Sequence, residues 1–196
     1  MTHPGPLFPD WPFAGLIFHG YDLIFADPPW AFDLYSEKGE GKSAQKHYRC
    51  LPTPEICALP VLDLAAEDCL LLMYATNPML VDAMQVMAAW GFSFKTMGIW
   101  RKITTNGKIG FGTGYILRSS HEPILIGTRG NPRTAKNVRS IFDGKLREHS
   151  RKPEEGFVWA EQIMPWATRR LEIFSRQNRP GWISWGDEVG KFEEKS

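Results

Sequence analysis

Short apolar runs alternate along the chain with breaks rich in proline and glycine, the pattern of buried strands interleaved with helices. Tyr21-Asp22-Leu23-Ile24-Phe25-Ala26 contains no glycine and ends at a double proline, which predicts a short buried strand. Cys69 to Ala75 predicts a second. Asn77-Pro78 then reads as the N-cap and first residue of a helix ending at Gly91, with Leu80, Met84, Met87 and Ala88 on its apolar face. Phe92 to Ile103 predicts a strand, and after a glycine-rich stretch Glu122-Pro123-Ile124-Leu125-Ile126 predicts another. Pro153 opens a helix whose early acids, Glu154 and Glu155, suit its dipole and which Pro165 ends. Leu171-Glu172-Ile173-Phe174 and Trp182-Ile183-Ser184-Trp185 supply closing strands. The alternation predicts an α/β layered fold with a mostly parallel sheet; Asp33 to Arg49 and Asn131 to Arg151 lack the pattern and read as loops.

Length and composition narrow this picture. At 196 residues, 22.3 kDa and 43% hydrophobic residues, the chain can bury one full core, most simply as a single domain over 1–196. No run is long and apolar enough to span a membrane, and the amino terminus lacks the charged-then-apolar pattern of a secretion signal, so cytoplasm is the expected compartment. Cys50, Cys57 and Cys69 are odd in number and lack paired metal-ligand spacing, which predicts reduced thiols and no metal.

The net charge of +1 hides an asymmetry. Lys95, Arg101, Lys102, Lys108, Arg118, Arg129, Arg133, Lys136, Arg139, Lys145, Arg147, Arg151 and Lys152 face only Glu122, Asp143 and Glu148 in the same segment. A basic centre on an otherwise acidic chain is either a footprint for a phosphate backbone or a solvated face with scattered counter-charges.

The tetrapeptide Asp27-Pro28-Pro29-Trp30 decides between them. It follows the first predicted strand, and open α/β sheets bind ligands beyond the carboxyl ends of their strands. Two prolines hold Asp27 and Pro28 in a rigid turn. An Asp27 carboxylate oxygen and the Pro28 carbonyl can then each accept a hydrogen from a planar –NH2 group, drawing its lone pair out of conjugation, while Trp30 offers a stacking face. That is a cradle for methyl transfer onto a nucleobase amine. Two glycine motifs carry less. Gly39-Glu40-Gly41-Lys42-Ser43 resembles the end of a phosphate-binding loop but has Ser36 where the spacing needs glycine. Gly110-Phe111-Gly112-Thr113-Gly114 lacks a strand–turn–helix frame and reads as a substrate-contacting loop.

Asp27-Pro28-Pro29-Trp30, His47-Tyr48, Ala75-Thr76-Asn77, Glu122 in a strand ending at Gly127, Ser150-Arg151-Lys152-Pro153, Glu172-Ile173-Phe174-Ser175-Arg176, Gly181-Trp182 and Gly186-Asp187-Glu188 follow one another in the order of a known family. From Tyr21 onward the chain resembles the MT-A family, named for the seventy-kilodalton catalytic subunit of the eukaryotic mRNA adenosine methyltransferase, and especially its short phage and bacterial members. The resemblance implies a Rossmann-like, S-adenosylmethionine-dependent methyltransferase fold with helices on both faces and the catalytic motif ahead of the main cofactor segment. It implies methylation of adenine N(6) in DNA, with RNA as the alternative polymer, in a bacterial or phage-infected cell. By the same resemblance Asp27, Pro28, Pro29 and Trp30 are catalytic, and Asp27, Lys152, Glu172, Arg176, Asp187 and Glu188 bind the cofactor, Lys152 meeting its carboxylate. Asp187 and Glu188 replace an amide pair, and as acids they can accept from ribose hydroxyls but not donate. His47, Tyr48, Asn77, Lys102 and Glu122 are the expected substrate contacts, Glu122 either positioning the substrate or pairing with a nearby arginine. A homodimer and a heterodimer both remain open. Two rival readings are a non-catalytic nucleic-acid-binding partner subunit, against which the intact tetrapeptide stands, and a protein-glutamine methyltransferase, whose motif begins with Asn and ends with Tyr.

Overall fold

The computed structural model describes residues 11–31, 50–112, 114, 116–148 and 151–192. Its centre is a seven-stranded sheet in the order β5-β3-β4-β2-β1-β6-β7. The strands are β1 (Tyr21–Ala26), β2 (Ala65–Tyr74), β3 (Ser93–Ile103), β4 (His121–Arg129), β5 (Ile141–Lys145), β6 (Arg170–Ile173) and β7 (Ile183–Trp185). β4 runs antiparallel to β2 and β3, and every other pairing is parallel.

Alternation along β1 divides the core in two. Ile24 and Ala26 point to one face, where they pack with Ile56 of α1 (Thr53–Cys57) and with Ala83, Val86 and Met87 of α2 (Leu80–Ala89). Leu23 and Phe25 point to the other, against Phe157, Trp159, Ala160 and Ile163 of α3 (Glu154–Ile163). Helices therefore cover both faces, and β1 and β2 are buried along most of their length, as parallel strands between two layers must be.

The expected strands are present, with β2 starting earlier, at Ala65. Asn77 does not cap a helix: Asn77–Met79 is a 3₁₀ turn, and α2 begins at Leu80 with no side-chain cap. Its buried face is formed by Ala83, Val86 and Met87, leaving Met84 and Ala88 exposed. Trp90 fixes this face. Its large side chain is buried and its indole N–H donates to the Ile56 carbonyl at 2.8 Å, so the stripe leading to Trp90 outcompetes the one through Met84. Gly91 then ends the helix with φ +75°, a left-handed conformation suited to glycine. The segment Asn131 to Arg151 is not all loop, since β5 lies within it.

Candidate active site

The pairing directions bring the carboxyl ends of β1, β2, β3, β5, β6 and β7 to one edge of the sheet. β4 is reversed, so its first residues, His121 and Glu122, reach that same edge.

Asp27 stands one residue past β1, its backbone N–H donating to the Ile173 carbonyl of β6 at 3.4 Å. The turn behind it is pinned twice. Trp30 N–H donates to the Pro28 carbonyl at 2.9 Å, and Leu51 N–H donates to the Pro29 carbonyl at 2.9 Å. Each proline carbonyl thus already accepts one hydrogen bond and keeps a second lone pair. Trp30 corrects an expectation. It is a core residue, 5% exposed, with its indole N–H donating to the Tyr74 carbonyl at 3.2 Å. Burying the ring beside β2 and satisfying its N–H anchors the turn, and leaves no open face for a base to stack on.

Four charged side chains join at this point. Lys152, just ahead of α3, places Nζ 3.0 Å from Asp27 Oδ1 and 3.3 Å from Glu122 Oε2. Lys102, near the end of β3, holds the other oxygen of Glu122 at 2.9 Å. Glu122 therefore pairs with two lysines rather than an arginine. Burial pushes the Asp27 carboxyl up; the Lys152 ammonium opposes this, and the neighbouring Glu122 charge adds to it. Burial also pulls Glu122 upward, but Lys152 and Lys102 outweigh it and hold its carboxyl below the usual range. The Lys152 ammonium also lies 4.9 Å from the centre of the Tyr74 ring. Tyr74 is buried, and its hydroxyl finds no hydrogen-bond partner among the described residues. Burial, with Glu122 and Asp27 close by, drives its phenol well above the usual value.

Asp27 separates two hollows. The larger, about 280 Å³, is lined by Asp27, Pro29, Leu51, Leu59, Phe174, Ser175, Arg176, Trp185, Asp187 and Glu188. The smaller, about 20 Å³, is lined by Asp27, Arg151, Lys152, Glu172, Phe174, Arg176, Gln177, Arg179 and Phe192. Phe174 borders both with φ +63°, a strained conformation for a residue with a side chain, at the turn where β6 leaves the sheet. Gly186 makes room for that turn: a Cβ there would stand 2.5 Å from the Ser175 carbonyl oxygen, while Ser175 N–H donates to the Trp185 carbonyl at 2.8 Å.

Arg176 Nε meets Glu188 Oε2 at 2.6 Å. Burial works against the Glu188 charge, but Lys191 and Arg176 prevail and hold the carboxyl low. Glu172, 9% exposed, behaves oppositely. Burial pushes it to about 7, and Arg179, 3.8 Å away and also paired with Glu154, compensates only in part.

The structure thus brings together Asp27, Lys152, Glu122 and Lys102, and places Glu172, Arg176, Asp187 and Glu188 around the two hollows. Asn77 lies exposed beyond β2 at the same edge. His47 and Tyr48 lie outside the described residues. Sequence reasoning missed Tyr74, the apolar walls Phe174 and Trp185, and Arg179; the one signal for the walls was Gly186, two residues before Glu188. The basic segment is also less unbalanced than its count. Arg101 pairs with Asp143, Arg147 with Glu154, Arg151 with Glu148, and Lys102 and Lys152 with Glu122, while Lys95, Lys108, Arg118, Lys136, Arg139 and Lys145 are exposed. Among the described residues no helix is long and apolar enough to cross a membrane.

The MT-A70 family model matches residues 21–188, which carry the strand-end motif, the four-charge cluster, the whole lining of the larger hollow and all of the smaller one's except Phe192. The chain belongs to the MT-A70 family. MT-A70 proteins are S-adenosylmethionine-dependent adenine-N(6) methyltransferases, and the sheet described above is their Rossmann-like fold. The chain is 31% identical to the type II methyltransferase M.MunI of Mycoplasma sp, over 86% of this chain and 78% of that protein. It is 30% identical to the N(6)-adenosine-methyltransferase MT-A70-like of Arabidopsis thaliana over 86% of this chain, but spans only 24% of the plant protein. It is 31% identical to the N6-methyladenosine RNA methyltransferase MTA1 of Cryphonectria parasitica, over 89% of this chain and 53% of the fungal protein.

Proposed function

We propose that this MT-A70 chain transfers a methyl group from S-adenosylmethionine to the N(6) amine of adenine in DNA, as one methyltransferase domain working in the cytoplasm of a bacterial or phage-infected cell. The observation that carries the reading is the position of Asp27. It stands at the carboxyl end of β1, held at 3.0 Å by Lys152, on the wall between the large hollow and the charged one.

The residues present fit the cofactor. Phe174, Trp185, Leu51 and Leu59 offer apolar walls for a nucleoside, Asp187 offers acceptors for ribose hydroxyls, Glu188 adds only the lone pairs that Arg176 and Lys191 leave on its oxygens, and Asp27 offers an acceptor for an ammonium. Lys152 and Arg176 are the cations beside Asp27, on the side where a carboxylate would be received, as the family resemblance leads one to expect for Lys152. When bound, S-adenosylmethionine supplies an activated methyl group on a sulfonium sulfur. This chain's part is to hold the amine. Lys152 takes Asp27 Oδ1, and the carboxylate's remaining lone pairs accept a hydrogen from the target –NH2. The Pro28 carbonyl accepts the other through its second lone pair. The nitrogen lone pair is thereby turned from the ring toward the methyl carbon, and positioning supplies most of the acceleration. Once the N–C bond has formed, the nitrogen is acidic enough to release a proton to water or to Asp27, so no dedicated base is needed. Trp30 contributes as the buried anchor of the turn.

DNA is preferred because the match covers 78% of the type II methyltransferase but only 24% of the plant protein and 53% of the fungal one, which is named for RNA. Adenine in a duplex must be turned out of the stack before it can reach Asp27. The exposed cations of the basic segment are the groups available to hold the backbone.

The test is incubation of the purified chain with S-adenosylmethionine and, separately, duplex DNA, single-stranded DNA and RNA, followed by digestion and mass-spectrometric quantification of N(6)-methyladenine. Product on DNA that Asp27→Ala lowers by at least about 100-fold supports the reading. Product on RNA alone moves the substrate assignment to RNA, and an active Asp27→Ala protein overturns the amine cradle.

A further inference from the structure

Glu122 was expected among the substrate contacts, yet both of its carboxylate oxygens are engaged within the protein, Oε1 by Lys102 at 2.9 Å and Oε2 by Lys152 at 3.3 Å. Its side chain is 17% exposed and those of the two lysines 15% and 16%, so this pairing is shielded from water more than a surface ion pair. Lys152 carries the chain of contacts on to Asp27. A lysine alone is a point charge on a flexible stem, and one carboxylate does not fix where it stands. Here Lys152 is held by two carboxylates, Asp27 and Glu122, and Glu122 is itself held by Lys102. The reversed direction of β4 puts Glu122 in that place: it pairs with Trp100 of β3, two residues before Lys102.

We infer that Glu122 is a positioning residue for the reacting centre, bracing Lys152 against Asp27 and balancing the charge of the two lysines, without itself touching the substrate. The inference rests on the reading of Asp27 as the acceptor of the target amine. The groups facing Asp27 are Lys152 ahead of α3, Glu122 on β4, Glu172 and Arg176 from β6 and its exit, and the buried phenol of Tyr74 on β2. Among these, Glu122 raises the proton affinity of Asp27. Removing its charge must lower that affinity. Removing Lys102, which offsets Glu122, must act in the opposite direction. A residue that only filled space would do neither, and a substrate contact would show itself in substrate affinity.

The decisive experiment is a carbon NMR titration of the Asp27 carboxyl in the full chain, assigned with Asp27→Asn, in wild type, Glu122→Gln and Lys102→Met. The Asp27 midpoint should fall in Glu122→Gln and rise in Lys102→Met. With DNA as substrate, Glu122→Gln should lose kcat while KM for DNA stays within about twofold. An Asp27 midpoint unmoved in both variants overturns the inference, as does a raised KM for DNA with kcat retained. If Glu122→Gln does not fold by circular dichroism, Lys102→Met decides alone, and a midpoint that stays or falls is fatal. The titration needs neither cofactor nor polymer, so a wild-type protein that methylates nothing counts against the proposed function and leaves this test standing.

Discussion

Replacing Lys152 with methionine keeps most of the side chain's length and removes its charge. The ammonium serves two carboxylates, Asp27 at 3.0 Å and Glu122 at 3.3 Å, in a site where these three side chains are 16–25% exposed. Removing one partner from a fully buried pair costs about 3–5 kcal/mol, mostly through the charge left behind. Residual exposure and the retained Lys102–Glu122 pair reduce this to roughly 2–3 kcal/mol, which at this chain length lowers Tm by about 4–12 °C. The pH dependence has a definite sign. Burial already raises Asp27 and Lys152 opposes it, so without the ammonium the folded state holds the Asp27 proton to higher pH. A protonated Asp27 has no need of the lysine. The deficit of Lys152→Met should therefore shrink as the pH falls from neutral, measured by urea denaturation of both proteins across a pH series. Equal stability at neutral pH, or a deficit that grows on acidification, would refute the reasoning.

Two further substitutions probe the surroundings. Gly156→Ala would place a Cβ 2.5 Å from the Tyr74 hydroxyl, and the ring, stacked on Phe25 at 5.0 Å, has little room to yield; despite the better helix propensity of alanine the variant should lose about 1 kcal/mol, and an unchanged or higher melting temperature would show that Tyr74 is looser than its packing implies. Glu172→Gln tests the buried carboxyl at about 7: because its folded value lies above the ordinary 4.5, the stability it contributes is complete below 4.5 and lost as pH rises to about 7, so wild type should weaken across that window and the variant should not. Identical slopes in a series of urea midpoints would remove Glu172 from the account.

How much was legible in the chain depended on whether a signal was local. β1 announced itself through six residues and the double proline after it, and α3 through Pro153 and its early acids. β5 was missed because Ile141–Lys145 is a short edge strand carrying Asp143 and Gly144, residue types that disfavour strands, and its pairing with β3 is long-range. α1 was missed because prolines stand at both 52 and 54 and only Ile56 of the helix is buried. Its place in the strand-end tetrapeptide made Trp30 look like a ligand face; only the packing against β2 reveals it as an anchor. Asp27 and Lys152 were readable from the motif order, but the bridge through Glu122 and Lys102 was not. Those residues lie far from Asp27 in sequence; Lys102 reaches its edge at the carboxyl end of β3, and Glu122 does so because β4 runs antiparallel.

That reversed strand has a further effect. A parallel neighbour would have to be reached through a crossover, whereas β3 and β4 are consecutive antiparallel strands whose connection opens at the edge that holds Asp27. Its base is fastened by Lys102 N–H donating to the Ser120 carbonyl at 2.9 Å and Gly110 N–H donating to the Lys102 carbonyl at 2.8 Å, while its far end carries the exposed Phe111, Ile116 and Leu117. Closing such a connection costs little more as it lengthens. Residues can be gained or lost at the tip while Lys102 and Glu122 stay in register, so the chemistry of the edge and its outward reach occupy separate stretches of chain and are free to diverge at different rates.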